Sequence, residues 1–295
     1  MTSPAIELEA VSKRFGPRVV LRDLNLRVET GEIAGFVGPN GCGKTTSLRL
    51  IAGITFRTAG RASVLGRDPT REPVAIRRRC SYLPGETCLY EWMTGSQALR
   101  FALAGYPQRD SELDDELRDT FALPLHRRVR EYSAGMKQKL ALHIALVPDV
   151  DLYLLDEPDR NLDPTSQFLV RSIVRRMARQ RKTVLYCSHD LRNVEALADR
   201  IIFIHDGRAV APESVLSARD ALRGELRILV APGTELPKDS AEVIEDPDGY
   251  LRVRTSGDPF QWLGRIDPGA IVAVEFGTTR LDLLYRELTA KDDHA

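Results

Sequence analysis

Nine residues, Gly38-Pro39-Asn40-Gly41-Cys42-Gly43-Lys44-Thr45-Thr46, carry the strongest chemical signal in this sequence. Glycines at this spacing let successive backbone N–H groups turn inward as a nest for an anion. A helix that starts at Lys44 adds its positive dipole end. The Lys44 ammonium then reaches the β- and γ-phosphates of a nucleotide, and the Thr45 hydroxyl is placed for Mg²⁺. Two more groups belong to the same chemistry. Asp156 and Glu157 close the apolar run Leu152-Tyr153-Leu154-Leu155. The aspartate suits a second Mg²⁺ contact, and the glutamate is of the right type to polarise an attacking water. Ser188-His189-Asp190 follows another apolar run, Thr183 to Cys187. Three adjacent residues cannot converge as a nucleophilic triad. His189 alone can hydrogen-bond a γ-phosphate as charge develops on it.

These groups need a scaffold that brings strand ends together. Ile33, Ala34, Phe36 and Val37 lead into the glycine loop, and Ser47, Leu48, Leu50 and Ile51 follow it at helical spacing. That is strand, loop, helix. The apolar runs at 152–155 and 183–187 read as strands of a parallel or mixed sheet covered on both faces, with ligands expected at their carboxyl ends. Asp163-Pro164 predicts a capped helix to about Gln180, with Arg171, Arg175, Arg176 and Arg179 on a solvent face. Residues 86–146 switch to helical periodicity. Past residue 213, short strands at 227–230, 250–254 and 271–276 are separated by Pro-Gly turns. Leu281, Leu284, Tyr285 and Leu288 predict a closing helix. The expected class is α/β: a nucleotide-binding domain over 1–213 with a helical subdomain at about 86–146, and a small α+β appendage over 214–295. Phe15, just before a turn, reads either as core or as a flat platform for a base.

Composition narrows the partners. The chain has 295 residues, with 42 Lys and Arg against 42 Asp and Glu. A net charge of zero gives no global field to hold nucleic acid or an anionic membrane. Cys42, Cys80, Cys88 and Cys187 show no paired metal spacing and read as free thiols. No run is long and apolar enough to cross a bilayer, and the first residues do not read as a secretion signal.

Taken together, the motifs resemble the nucleotide-binding subunit of an ABC transporter over roughly residues 5–211. The glycine loop matches the Walker A loop, and Leu152 to Glu157 the Walker B strand with its glutamate. Tyr132-Ser133-Ala134-Gly135-Met136 stands where that family has its signature loop, Leu162-Asp163 ends its D-loop, and His189 stands at the switch histidine. Phe15 falls at the family's adenine-stacking aromatic.

The resemblance implies a P-loop NTPase fold, ATP and Mg²⁺ as cofactors, and an ATP-hydrolysing activity that drives transport. Glu157, His189 and Lys44 would be catalytic, and Thr45 and Asp156 would hold the metal. It also implies two such domains paired head to tail, each ATP lying between one chain's Walker A loop and the other's Ser133 and Gly135. The pair would sit on separate transmembrane subunits at the cytoplasmic face of the membrane, with no nucleic-acid partner expected.

The sequence departs from the family in two places. Gly85 stands where a glutamine is usual, with Glu86 the nearest side chain that could substitute, and Asp159-Arg160-Asn161 replaces the usual small polar run. The stretches 89–95 and 278–289 resemble the drug- and ion-export branch, in which the membrane subunit is a separate chain. Two other readings remain: a weakly hydrolysing regulatory subunit paired with another ATPase chain, motivated by Gly85 and the altered D-loop, and a soluble ATPase acting on nucleic acid. The zero net charge and single cassette count against the latter.

Overall fold

The computed structural model describes residues 3–188, 191–210, 225–237, 241–246, 249–255 and 259–276. It divides into two compact units, Met1–Val210 and Ala211–Ala295. The boundary expected after residue 213 falls among 211–224, outside the described residues.

The first unit runs β1 (Ile6–Phe15), β2 (Arg18–Val28), β3 (Ile33–Val37), α1 (Lys44–Ile51), β4 (Ala59–Val64), α2 (Pro73–Arg77) and β5 (Cys80–Leu83). Three longer helices follow: α3 (Gly95–Leu103), α4 (Ser111–Phe121) and α5 (Ala134–Leu146). The chain then returns to alternation with β6 (Leu152–Asp156), α6 (Pro164–Arg179), β7 (Thr183–Cys187), α7 (Leu191–Leu197), β8 (Arg200–His205) and β9 (Arg208–Ala209).

Two sheets result. β2-β1-β4 is antiparallel. The larger sheet has the order β5-β6-β7-β3-β8-β9, parallel except for the β8–β9 hairpin. Every residue of β3, β6 and β7 is buried, as inner parallel strands covered on both faces require. In β1 the apolar set steps from Ile6 and Leu8 to Val11 instead of alternating strictly. A register shift lies between Leu8 and Val11, and Ala10 takes φ 47° there. Leu48, Leu50 and Ile51 of α1 share one core cluster with Ile6, Leu24 and Leu26 of the small sheet and Phe36, Leu154 and Leu185 of the large one. Each such fully buried side chain contributes roughly 1.5–3 kcal/mol, so the helix that starts at Lys44 is firmly seated.

α6 begins as its sequence predicts. Asp163 accepts the Ser166 N–H at 2.9 Å, and Pro164 opens the first turn. Its arginines are less free than a solvent face implies. Arg171 is half-buried and donates to Asn193, Arg175 donates to the Ala196 carbonyl, and Arg176 pairs with Glu116.

Among the described residues of the second unit, β10 (Glu225–Val230), β11 (Ala241–Glu245), β12 (Leu251–Thr255) and β13 (Ile271–Phe276) form an antiparallel sheet in the order β11-β12-β10-β13, with a short helix, α8 (Pro259–Leu263). Leu226, Ile228, Val253, Trp262 and Ile266 make its core. Arg227 is fully buried against Asp246 at 3.1 Å, with its guanidinium 4.5 Å from the centre of the Tyr250 ring. β11 and α8 were not expected from the sequence. β11 is an edge strand, exposed at Glu242, Val243 and Glu245, and so lacks a clear apolar alternation. The closing helix expected at 281–288 lies outside the described residues.

Candidate nucleotide site

The phosphate loop is built as its composition demands. Gly43 caps α1 at φ 112°, a conformation open to glycine and closed to most other residues. A Cβ on Gly38 would lie 2.3 Å from the Ile204 carbonyl, so glycine there lets the loop press onto β8. The turn after β8 returns the contact, with the Gly207 N–H donating to the Cys42 carbonyl at 3.0 Å. The buried Lys44 ammonium donates to the carbonyls of Gly38 and Pro39 at 2.6 and 3.0 Å. It arches back over its own loop and, among the described residues, makes no ion pair with a carboxylate. Burial pushes the Cys42 thiol up, against the opposing pull of Lys44, so this cysteine is a packed small residue.

Strand β6 delivers the acids. Asp156 is 1% exposed, and its Oδ2 accepts the Thr45 hydroxyl at 2.6 Å, joining the loop after β3 to the end of β6. Burial, and then the Glu157 charge, raise its carboxyl above the usual range. The Thr45 hydroxyl, Lys44 and the Gly85 N–H pull the other way. Such a carboxylate gains from a nearby cation. Glu157 sits past the end of the strand at φ 52°, half-buried, with its N–H donating to the Cys187 carbonyl at 2.8 Å.

An open cleft of about 550 Å³ joins these parts. It is lined by Phe15, Asn40, Gly41, Gly43, Lys44, Thr45, Thr46, Asp156 and Glu157, together with Arg18, Val20, Arg49, Gly85, Glu86 and Arg160. Phe15 is 50% exposed on its rim with the Lys13 ammonium 4.5 Å from the ring centre, which rules out the core reading. Arg18, Arg49 and Arg160 were not singled out as site residues by sequence reasoning. The signal for Arg18 was present, since the two-residue turn at Gly16-Pro17 pairs Phe15 directly with Arg18.

Ser133 and Gly135 do not line this cleft. Ser133 is exposed at the start of α5, where its hydroxyl accepts the Met136 N–H at 3.2 Å. A Cβ on Gly135 would come within 2.9 Å of the Asn161 carbonyl. His189 lies outside the described residues.

A glycine nest at a helix start, a basic side chain folded over it and a strand-end acid bonded to the loop define a P-loop nucleotide-binding fold. The comparisons narrow the class. Residues 21–160 match the model of the ABC transporter family. The chain is 35% identical over 230 residues to the ABC transporter ATP-binding protein NatA of Bacillus subtilis, covering 75% of this chain and 94% of that protein. It is 31% identical over 287 residues to the daunorubicin/doxorubicin resistance ATP-binding protein DrrA of Streptomyces peucetius, covering 95% and 87%. A solved ATP-binding subunit of an ABC transporter superposes with a TM-score of 0.65 at 26% identity, covering 72% of this chain and 92% of that one. The chain belongs to the ABC transporter family, as one of its ATP-binding ATPase subunits.

Proposed function

We propose that this chain is the ATP-hydrolysing subunit of an exporter, working as a head-to-tail pair on separate membrane subunits. One observation carries the reading. Lys44, Thr45, Asp156 and Glu157 converge on one cleft, while the exposed Ser133 and the half-buried Gly135 lie outside it. A single chain therefore holds a phosphate site and, elsewhere, a second helix start of the kind that binds anions. Head-to-tail pairing brings the two kinds of surface together around one γ-phosphate.

The roles follow from position. Phe15 offers a ring face to the base. The loop N–H groups and Lys44 take the phosphates. The Thr45 hydroxyl and the Asp156 carboxylate supply hard oxygen donors suited to Mg²⁺. Among the described residues no cluster of three acids, histidines or cysteines makes an all-protein cage, so the remaining ligands fall to phosphate and water. When bound, the ion neutralises charge on the β- and γ-phosphates. Glu157 accepts the proton of the attacking water. His189 is assigned to the γ-phosphate by its place two residues after β7.

Three observations bear on the membrane partner and the direction. No helix among the described residues is long and apolar enough to cross a membrane. Tyr90, Trp92 and Phe101 are exposed together beside an apolar pocket lined by Tyr82, Pro84, Leu89 and Ile144. Tyr90 meets Phe101 edge-on at 5.5 Å and lies 6.0 Å from Trp92. A group of exposed aromatics suits a docking surface, here for the membrane subunit. The match to the drug-resistance protein DrrA covers 95% of this chain and so runs into the second unit, which favours export.

Glu157→Gln tests the reading. ATP turnover should fall at least about a hundredfold, with an ATP-bound dimer accumulating on size-exclusion chromatography. Unchanged turnover would remove Glu157 as general base. A wild type that binds ATP without turning it over, even beside its membrane subunit, would favour the regulatory alternative.

A further inference from the structure

Two departures from the family pattern, far apart in sequence, meet in space. Gly85 lies against the Walker B aspartate, and a Cβ there would sit 3.2 Å from the Asp156 carboxylate. No side chain at residue 85 enters the cleft. Arg160 takes that side of the wall. One of its guanidinium nitrogens donates to the Gly85 carbonyl at 3.4 Å, and the residue lines the cleft with Lys44, Asp156 and Glu157.

The backbone that carries Arg160 is fixed on several sides. The Glu157 N–H is bonded to β7, and the Arg160 N–H donates to the Glu157 carbonyl at 3.2 Å, closing a turn. Gln138 of α5 donates to the Pro158 carbonyl at 3.2 Å. Asp159 is buried and accepts from the Tyr186 hydroxyl and from Asn193. The segment is therefore held to the sheet and to two helices while Arg160 remains exposed. Its guanidinium makes no ion pair among the described residues, and the Gly85 carbonyl occupies only part of its donor capacity. Guanidinium forks match phosphate oxygens, and they have no lone pair with which to take a proton from water or ligate a metal.

We propose that Arg160 is a phosphate-binding residue of this site, acting in its own chain. It supplies positive charge to the γ-phosphate on the side of the cleft where the family pattern has a glutamine. The proposal rests on the ATPase reading above. It assigns this wall of the cleft to charge stabilisation and leaves water activation to Glu157.

Arg160→Gln removes the charge and keeps a polar donor, whereas Arg160→Lys keeps the charge and removes the fork. ATP binding and turnover are measured on the full chain, with orthovanadate as the probe of the transferring phosphoryl group. Arg160→Gln should lower kcat at least about tenfold and weaken vanadate inhibition by a similar factor, with Arg160→Lys falling between it and the wild type. Turnover within about twofold of wild type, or unchanged vanadate sensitivity, overturns the proposal. Failure of the underlying reading shows differently, as a wild type that does not bind ATP.

Discussion

Two helix starts in this protein use the same physics to different ends. α1 begins at Gly43, which has no side chain with which to cap it, and it opens into a cleft walled by Lys44, Thr45 and Asp156. α5 is capped by Ser133, whose own hydroxyl accepts the Met136 N–H, and the start is exposed at Ser133 and Ala134. Both present N–H groups and a positive dipole end. The first is surrounded by a lysine, a threonine and two strand-end acids. Beside the second stand Ser133, Gly135, the neighbouring Asn161 carbonyl and a Lys137 already paired with Glu91. The lesson is that a helix N-terminus becomes a site only when other elements converge on it. In the pairing proposed above, a second chain supplies that convergence for α5.

Substitutions at the two starts should separate these roles. The largest effect belongs to Lys44→Ala, expected to weaken ATP binding by the isolated chain about a hundredfold in a titration with fluorescent nucleotide. Near-normal affinity would mean that the cleft is not the nucleotide site. Next comes Ser133→Glu, which sets a carboxylate against the γ-phosphate across the pair. ATP binding by the dilute chain should persist while turnover at high protein concentration drops at least about tenfold. Equal loss of both would place Ser133 in the same chain's site and end the comparison. Smallest is Ser133→Ala, which removes the cap and should lower unfolding stability by about 0.5–1 kcal/mol in urea titrations, since water can reach the freed Met136 N–H.

Much of this was legible in the sequence. The phosphate loop, the Asp163 cap and the buried runs that became β3, β6 and β7 are local patterns, set by residues a few positions apart. Phe15 taken alone was ambiguous between core and base platform, and only its place in the family pattern favoured the platform; its exposure depends on where β1 ends. Nor was the tie of Arg171 to Asn193, which exists only because α6 and α7 pack side by side.

The sequence by itself determined that the chain makes a phosphate nest with a lysine and a threonine at its helix start, and that an aspartate and a glutamate end an apolar strand. Those are consequences of φ preferences and hydrophobic periodicity. Only the tertiary structure decided what they meet. Thr45 and Asp156 are 111 residues apart, and Arg160 and Gly85 are 75. Their contacts follow from the strand order β5-β6-β7-β3-β8, which sets the ends of β5, β6 and β3 along one edge of the sheet. No local spacing encodes that order. It is selected by how the buried faces of two sheets and α1 close over a single core.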